Sequence, residues 1–147
     1  MTPDTKSSLV YAVTGETTPG GEATVHARTS HIAFDGSVRS GDILPGPAEL
    51  LCAALSACIL KNVERFSHML SFRYASASVR VEAAREEPPP RIVRMRYMLR
   101  VVTDESAERV ALLHKNIQKF GTITNTLSAA CDVQGEIDTA PLQAGAP

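Results

Sequence analysis

The sequence has no tryptophan, and aromatic residues make up only 5% of it. A core of packed rings is excluded, so the interior must be aliphatic. Charge of one sign is equally scarce: 15 Lys and Arg stand against 16 Asp and Glu, for a net charge of −1, and the cations are scattered. Phosphate backbones are gripped by clustered basic surface, so nucleic acid is not an expected partner. The longest apolar run starts at Leu50 and stops at Lys61, well short of the roughly 20 residues that span a bilayer. No membrane association is expected. The opening residues, MTPDTKSSLV, lack a charged segment leading into an apolar one, so no secretion signal is expected and the cytoplasm is the expected location. There are three cysteines, Cys52, Cys58 and Cys131. Three cannot all pair within one chain, and in a reducing compartment cysteines are buried, reactive or metal-bound more often than bridged. No phosphate-cradling glycine loop and no GxSxG elbow occurs. His26, His31, His68 and His114 are dispersed, and none stands at ligand spacing with a cysteine. No cofactor and no metal site is therefore expected, although His26 and His31 can meet across a turn.

What the sequence does have is one strongly apolar helix. Pro45, Gly46 and Pro47 break any preceding element, and Pro47 fits the first helical position, where its missing N–H costs nothing. Glu49 then falls in the first turn, facing the positive end of the helix dipole. From Leu50 to Ile59 only Ser56 is conventionally polar. A helix over 47–69 that is apolar nearly all round belongs in a core, and covering all its sides is easiest in a homodimer.

Around it the pattern predicts strands at 8–14, 22–28 and 31–35, with a turn over GETTPGG at 15–21. After the helix, runs at 71–85 and 91–103 are joined by EEPPP and read as an antiparallel hairpin, with Arg91, Arg94, Arg96 and Arg100 on its solvent face. Val110, Leu113, Ile117 and Phe120 share one face of a helix over 107–120 that opens after Asp104-Glu105-Ser106, with Gly121 as its C-cap. A short helix over 122–130, capped by Thr122 or Thr124, a strand over 132–139 and a flexible tail from 140 to 147 complete the chain. At 147 residues this is one α+β domain, in which helices interrupt antiparallel sheet.

Cys52 and Cys58 are six residues apart. On a helix they point roughly 120° apart and are separated by a rise of roughly 9 Å, beyond the reach of a disulfide, whose Cα atoms lie within about 7 Å. By spacing alone each reads either as a small apolar core residue or as a reactive thiol.

The segment PAELLCAALSACI, preceded by GDILPGP, resembles the active-site helix of the OsmC/Ohr family, the osmotically inducible protein C and organic hydroperoxide resistance proteins. The order of elements over about 8–139 is similar too, and the chain resembles the OsmC-like branch. The resemblance implies antiparallel sheets wrapped around long central apolar helices in an intertwined homodimer, with reactive sites near the subunit interface, facing apolar pockets. It implies that Cys58 is a peroxide-reactive cysteine that attacks an organic hydroperoxide and becomes a sulfenic acid, with an external thiol as reductant. The family's second cysteine falls on Gly121, which has no sulfur. The family's early-loop arginine has no counterpart in GETTPGG, which leaves Arg28 and Arg39 as the candidates. The family's glutamate position is Ala48, with Glu49 one residue later. The implied function is thus a thiol-dependent organic hydroperoxide reductase of one-cysteine or degenerate type, in oxidative stress defence. The alternative is a non-catalytic dimer that binds an apolar small molecule at its interface.

Overall fold

The computed structural model describes residues 8–39 and 41–143 of the 147. The chain divides into two compact units, Met1–Glu49 and Leu50–Pro147, each with its own three-stranded sheet.

In the first unit β1 (Thr14–Thr17), β2 (Glu22–Ala27) and β3 (Ser30–Asp35) form an antiparallel meander in chain order. The β1–β2 turn requires glycine: a Cβ on Gly21, at φ +89°, would lie 2.5 Å from the Ser37 Cα. The strand expected at 8–14 begins instead at Thr14 and runs into the expected turn. The register explains the shift. Thr14 pairs with His26, and β2 ends one residue later at Ala27, so residues before Val13 lie past its end. Leu9, Val10, Tyr11 and Val13 are exposed. After β3, the Asp35 carboxylate accepts from the Ser37 N–H at 2.9 Å and the Gly41 N–H at 2.6 Å. These bonds, that of Gly41 foremost, hold its carboxyl below the usual range.

The second unit is organised by α1 (Pro47–Met69), whose span is the expected one. Leu55, Ile59, Val63 and Phe66 are buried at helical spacing, with Asn62 among them. All-round burial is not found: Ala53, Ala57 and Leu60 are exposed, so only one face is covered within the chain. The helix ends in a Schellman motif. Ser71 has φ 49°, its N–H donates to His68 O at 3.4 Å, and the Phe72 N–H donates to Ser67 O at 2.8 Å. Phe72 then joins Phe66 in the core. For this reason the strand expected from residue 71 begins only at Ser76.

β4 (Ser76–Glu86) and β5 (Arg91–Val102) form the expected antiparallel hairpin, and α2 (Ala107–Phe120), α3 (Thr122–Ser128) and β6 (Asp132–Ala140) follow. The expectation of a wholly antiparallel sheet is corrected here, since β6 pairs parallel with β5, from Arg94 opposite Asp132 to Val102 opposite Ala140. The two intervening helices make the crossover that a parallel pair needs. Met95, Tyr97, Leu99 and Val101 point into the core with Leu113 and Ile117 of α2. The alternate residues carry the arginines: Arg91, Arg94 and Arg100 are exposed and Arg96 is half-buried. Arg96 reaches Asp132 at 2.7 Å. Gly135 lies opposite Tyr97, and a Cβ there would come within 2.1 Å of the Tyr97 ring.

The end of α1 and the start of α2 are tied by charge. Glu105 accepts from the Arg73 N–H at 2.9 Å and from Arg109 Nε at 2.7 Å. Arg109 also donates to Leu70 O at 2.5 Å, an orphan carbonyl at the end of α1. The Arg73 N–H, with Arg109, holds the Glu105 carboxyl below its ordinary range. Ser106 caps α2 by accepting from the Arg109 N–H. Neither Thr122 nor Thr124 caps α3: Gly121 is its N-cap and offers no side chain, and the helix ends at Ser128 rather than 130. Thr124 is buried instead. The flexible tail expected over 140–147 is not found at its start, because the Thr103 N–H bonds Ala140 O at 2.9 Å and the Leu142 N–H bonds Asp104 at 3.1 Å. Residues 1–7 and 144–147 of the two termini lie outside the described residues. No helix among the described residues is long and apolar enough to cross a membrane.

Two outcomes are expected. Gly135→Ala destabilises the protein by about 2 kcal/mol in urea unfolding, and the same substitution costs less when made in a Tyr97→Ala background. Glu105 has a lowered folded-state pKa, so its contribution is present above the ordinary carboxylate range and lost as pH falls through the folded value. The urea midpoint of Glu105→Gln therefore lies below wild type at neutral pH, and the gap closes as pH falls below the ordinary carboxylate range.

Candidate functional site

Cys58 sits on α1 three residues after Leu55 and one before Ile59, at the edge of the buried stripe, and it is half-buried. Asn62 is one turn further on and only 7% exposed. Its Nδ2 donates to Cys58 O at 2.9 Å and lies 3.6 Å from Cys58 Sγ. The other wall is the junction between α2 and α3. A Cβ on Gly121 would lie 3.2 Å from Cys58 Sγ, 3.2 Å from Ile117 O and 2.8 Å from Thr124 Oγ1. Absence of a side chain at Gly121 is thus what lets the helix junction close over the sulfur. Within the second unit, no hydrogen bond or ion pair among the described residues joins Cys58 to a Lys, Arg or His.

The other cysteines are placed differently. Cys52 is half-buried and packs against the core, and the Ser56 hydroxyl donates to its carbonyl at 2.9 Å. Cys131 also packs against the core, with its Sγ 3.4 Å from Leu127 O. No disulfide joins any of the three among the described residues. Glu49, Arg28 and Arg39 belong to the first unit and are exposed. Arg28 occupies the β2–β3 turn at φ 55°, and Arg39 follows β3, its carbonyl accepting from the Ser37 hydroxyl. Glu49 stands in the first turn of α1.

His26 and His31 do meet. They are cross-strand partners, with Nδ1 atoms 2.5 Å apart and His26 Nε2 3.1 Å from Glu16. Two nitrogens on one tetrahedral zinc ion would be roughly 3.3 Å apart at normal bond lengths, so this contact is a hydrogen bond rather than half of a metal shell. His114 pairs with Tyr97, Nε2 to Oη at 2.8 Å. Burial pushes the Tyr97 hydroxyl up and the His114 imidazole down, so both are neutral at pH 7 and the pair is a packed polar contact of the core.

Asn62 is the site residue that sequence reasoning passed over. A signal was present: it lies in phase with Leu55, Ile59 and Phe66, where an apolar residue is expected, and four residues after Cys58.

The family model described as OsmC-like protein matches residues 39–136. The fold is similar to that of an OsmC-like protein from Mycoplasma pneumoniae, with TM-score 0.80 and 14% identity over 93% of this chain and 100% of that one. It is also similar to an organic hydroperoxide resistance protein OsmC from Legionella pneumophila, with TM-score 0.72 and 12% identity over 89% of this chain and 99% of that one. The same holds for an organic hydroperoxide resistance protein from Elizabethkingia anophelis, with TM-score 0.72 and 12% identity over 91% of this chain and 100% of that one. No curated protein matches the sequence. At these identities the solved structures speak for the fold, while the family match runs from the loop before α1 into β6, and on it this chain belongs to the OsmC-like protein family.

Proposed function

We propose that this chain is a one-cysteine, thiol-dependent organic hydroperoxide reductase of oxidative stress defence, with Cys58 as its reacting group. The observation that carries the reading is the half-buried Cys58 sulfur at the α2–α3 junction, beside a buried amide donor and a residue with no side chain. Two proteins of similar fold bear the name organic hydroperoxide resistance protein. The Cys58 thiolate attacks the outer oxygen of ROOH. The O–O bond breaks, the alkoxide takes a proton to leave as ROH, and the sulfur is oxidised to a sulfenic acid. Gly121 offers no second thiol, so an external thiol condenses with the sulfenic acid, releasing water and leaving a mixed disulfide. A second external thiol then releases Cys58 and carries away the oxidising equivalents as a disulfide.

On residue chemistry alone, Arg28 and Arg39 are the cations and Glu49 the carboxylate of this reading. Three cysteines with no disulfide between them among the described residues suit the reducing cytoplasm. The exposed Ala53, Ala57 and Leu60 of α1 suit a homodimer in which a second copy covers that face. The missing sulfur at Gly121 favours one other reading, a non-catalytic dimer that holds an apolar small molecule.

The test is consumption of cumene hydroperoxide by the reduced protein with dithiothreitol. Consumption well above that of free thiol is expected, falling to background in Cys58→Ser and staying within about twofold in Cys52→Ser and Cys131→Ser. Consumption no faster than free thiol, or retained in Cys58→Ser, sinks the reductase. In the first case a melting temperature raised by fatty acids supports the second reading. The Gly121 geometry gives an independent outcome. A disulfide places one Cβ roughly 3 Å from the opposite sulfur, close to the 3.2 Å found here. In Gly121→Cys, peroxide treatment should therefore remove about two titratable thiols per chain, as Cys58 bonds to the new cysteine.

A further inference from the structure

We infer that Asn62 is the positioning residue for Cys58: its side-chain amide donates a hydrogen bond to the thiolate and holds the sulfur at the α2–α3 junction. The inference rests on the reading of Cys58 as the reacting group.

A primary amide nitrogen carries two N–H groups. At Asn62 one faces Cys58 O at 2.9 Å and the other faces Cys58 Sγ at 3.6 Å, within reach for a sulfur acceptor. Both described hydrogen bonds of this amide thus go to one residue. Packing alone would place an apolar side chain here, because Leu55, Ile59, Val63 and Phe66 surround the position along the stripe and all are buried. A buried amide is costly unless its donors are used, and Asn62 uses them on the cysteine.

The preference between protonation states follows from charge. An N–H donor bonds an anion more strongly than a neutral acceptor, so a donor aimed at the sulfur favours thiolate over thiol. From the α2–α3 junction it is Gly121 that comes close to the sulfur, and it carries no titrating group. On α1 itself Lys61, Glu64 and Arg65 are exposed, and Glu64 is bonded to His68 and Tyr74. On α2, His114 is bonded to Tyr97, and Lys119 lies over the Phe120 ring at 5.2 Å. Within this unit Asn62 is the side chain whose chemistry bears on the charge of Cys58.

The experiment follows the alkylation of Cys58 by iodoacetamide across pH, in a Cys52→Ser, Cys131→Ser chain. Asn62→Leu removes the donor, and the isosteric Asn62→Asp replaces it with a carboxylate. The midpoint of the rate profile should move up in both, and further in Asp. Alkylation near pH 7 should fall about tenfold for every step of one in pH by which the midpoint rises. Val63→Ala loosens the same helix without touching the sulfur and should lower the melting temperature while leaving the midpoint in place. Midpoints unchanged in both Asn62 variants overturn the inference, as does a midpoint that follows melting temperature across all three. Alkylation needs no peroxide. A raised midpoint with no hydroperoxide consumption would keep Asn62 and discard the reductase, and the reverse pair of results would discard Asn62 alone.

Discussion

The stripe Leu55, Ile59, Val63 and Phe66 on α1 has to be covered, and the second unit is the means of covering it. Each of these side chains is 3% exposed or less, and burying one contributes roughly 1.5–3 kcal/mol. The inward residues of β5, Met95, Leu99 and Val101, are equally buried, as are Leu113 and Ile117 of α2. The order of elements follows. A hairpin alone leaves the sheet two strands wide, and two helices after β5 both add cover and return the chain in the same direction. The third strand must then pair in parallel. At the corner where α1 stops, Glu105 and Arg109 bind the freed backbone groups of residues 70–73. The end of one helix and the start of the next are fixed by a single ion pair.

The same requirement generates the site. Cys58 lies beside the stripe, so its sulfur is neither in the core nor free in solvent. The α2–α3 junction has to pass close to α1 if Ile117 is to reach the core, and at the closest point a Cβ on residue 121 would crowd Thr124 Oγ1 and the Ile117 carbonyl. Packing and chemistry therefore compete for one position. A residue with a side chain at 121 would supply a partner for the sulfur at the cost of pressing on Thr124 and on the Ile117 carbonyl. With glycine there, position 121 brings no sulfur to Cys58, and the polar side chain bonded to that residue is Asn62.

How much of this is legible in the sequence depends on the range of the interaction. The bounds of α1 and α2 can be read directly, because Pro47, Ser106 and the 3.6-residue spacing of Leu113, Ile117 and their neighbours are local signals. The hairpin over EEPPP is local too. The start of β1, the parallel placement of β6 and the irregular path from Ser71 to Ala75 depend instead on which segments meet in space. Phe72 and Tyr74 mimic strand alternation although they serve the end of a helix. At the site, Cys58 and Gly121 come from resemblance to a family helix and a late motif. Asn62 needed no resemblance, since a polar residue in phase with a buried stripe is itself a signal of a partner.

The composition of α1 and its surroundings within one chain do not agree, and the disagreement has a physical resolution. The sequence is apolar nearly all round between Leu50 and Leu60, yet Ala53, Ala57 and Leu60 face outward. In the first unit Leu9, Val10, Tyr11 and Val13 are exposed as well, the first three past the end of the strand that could have paired with them. Isolated exposed apolar residues need no explanation, but runs of them mark surfaces that another molecule covers. Alanines at 53 and 57 lie on one side of the helix, where small side chains allow a second backbone to come close. The homodimer proposed above would meet that need, because each copy has the uncovered helix face.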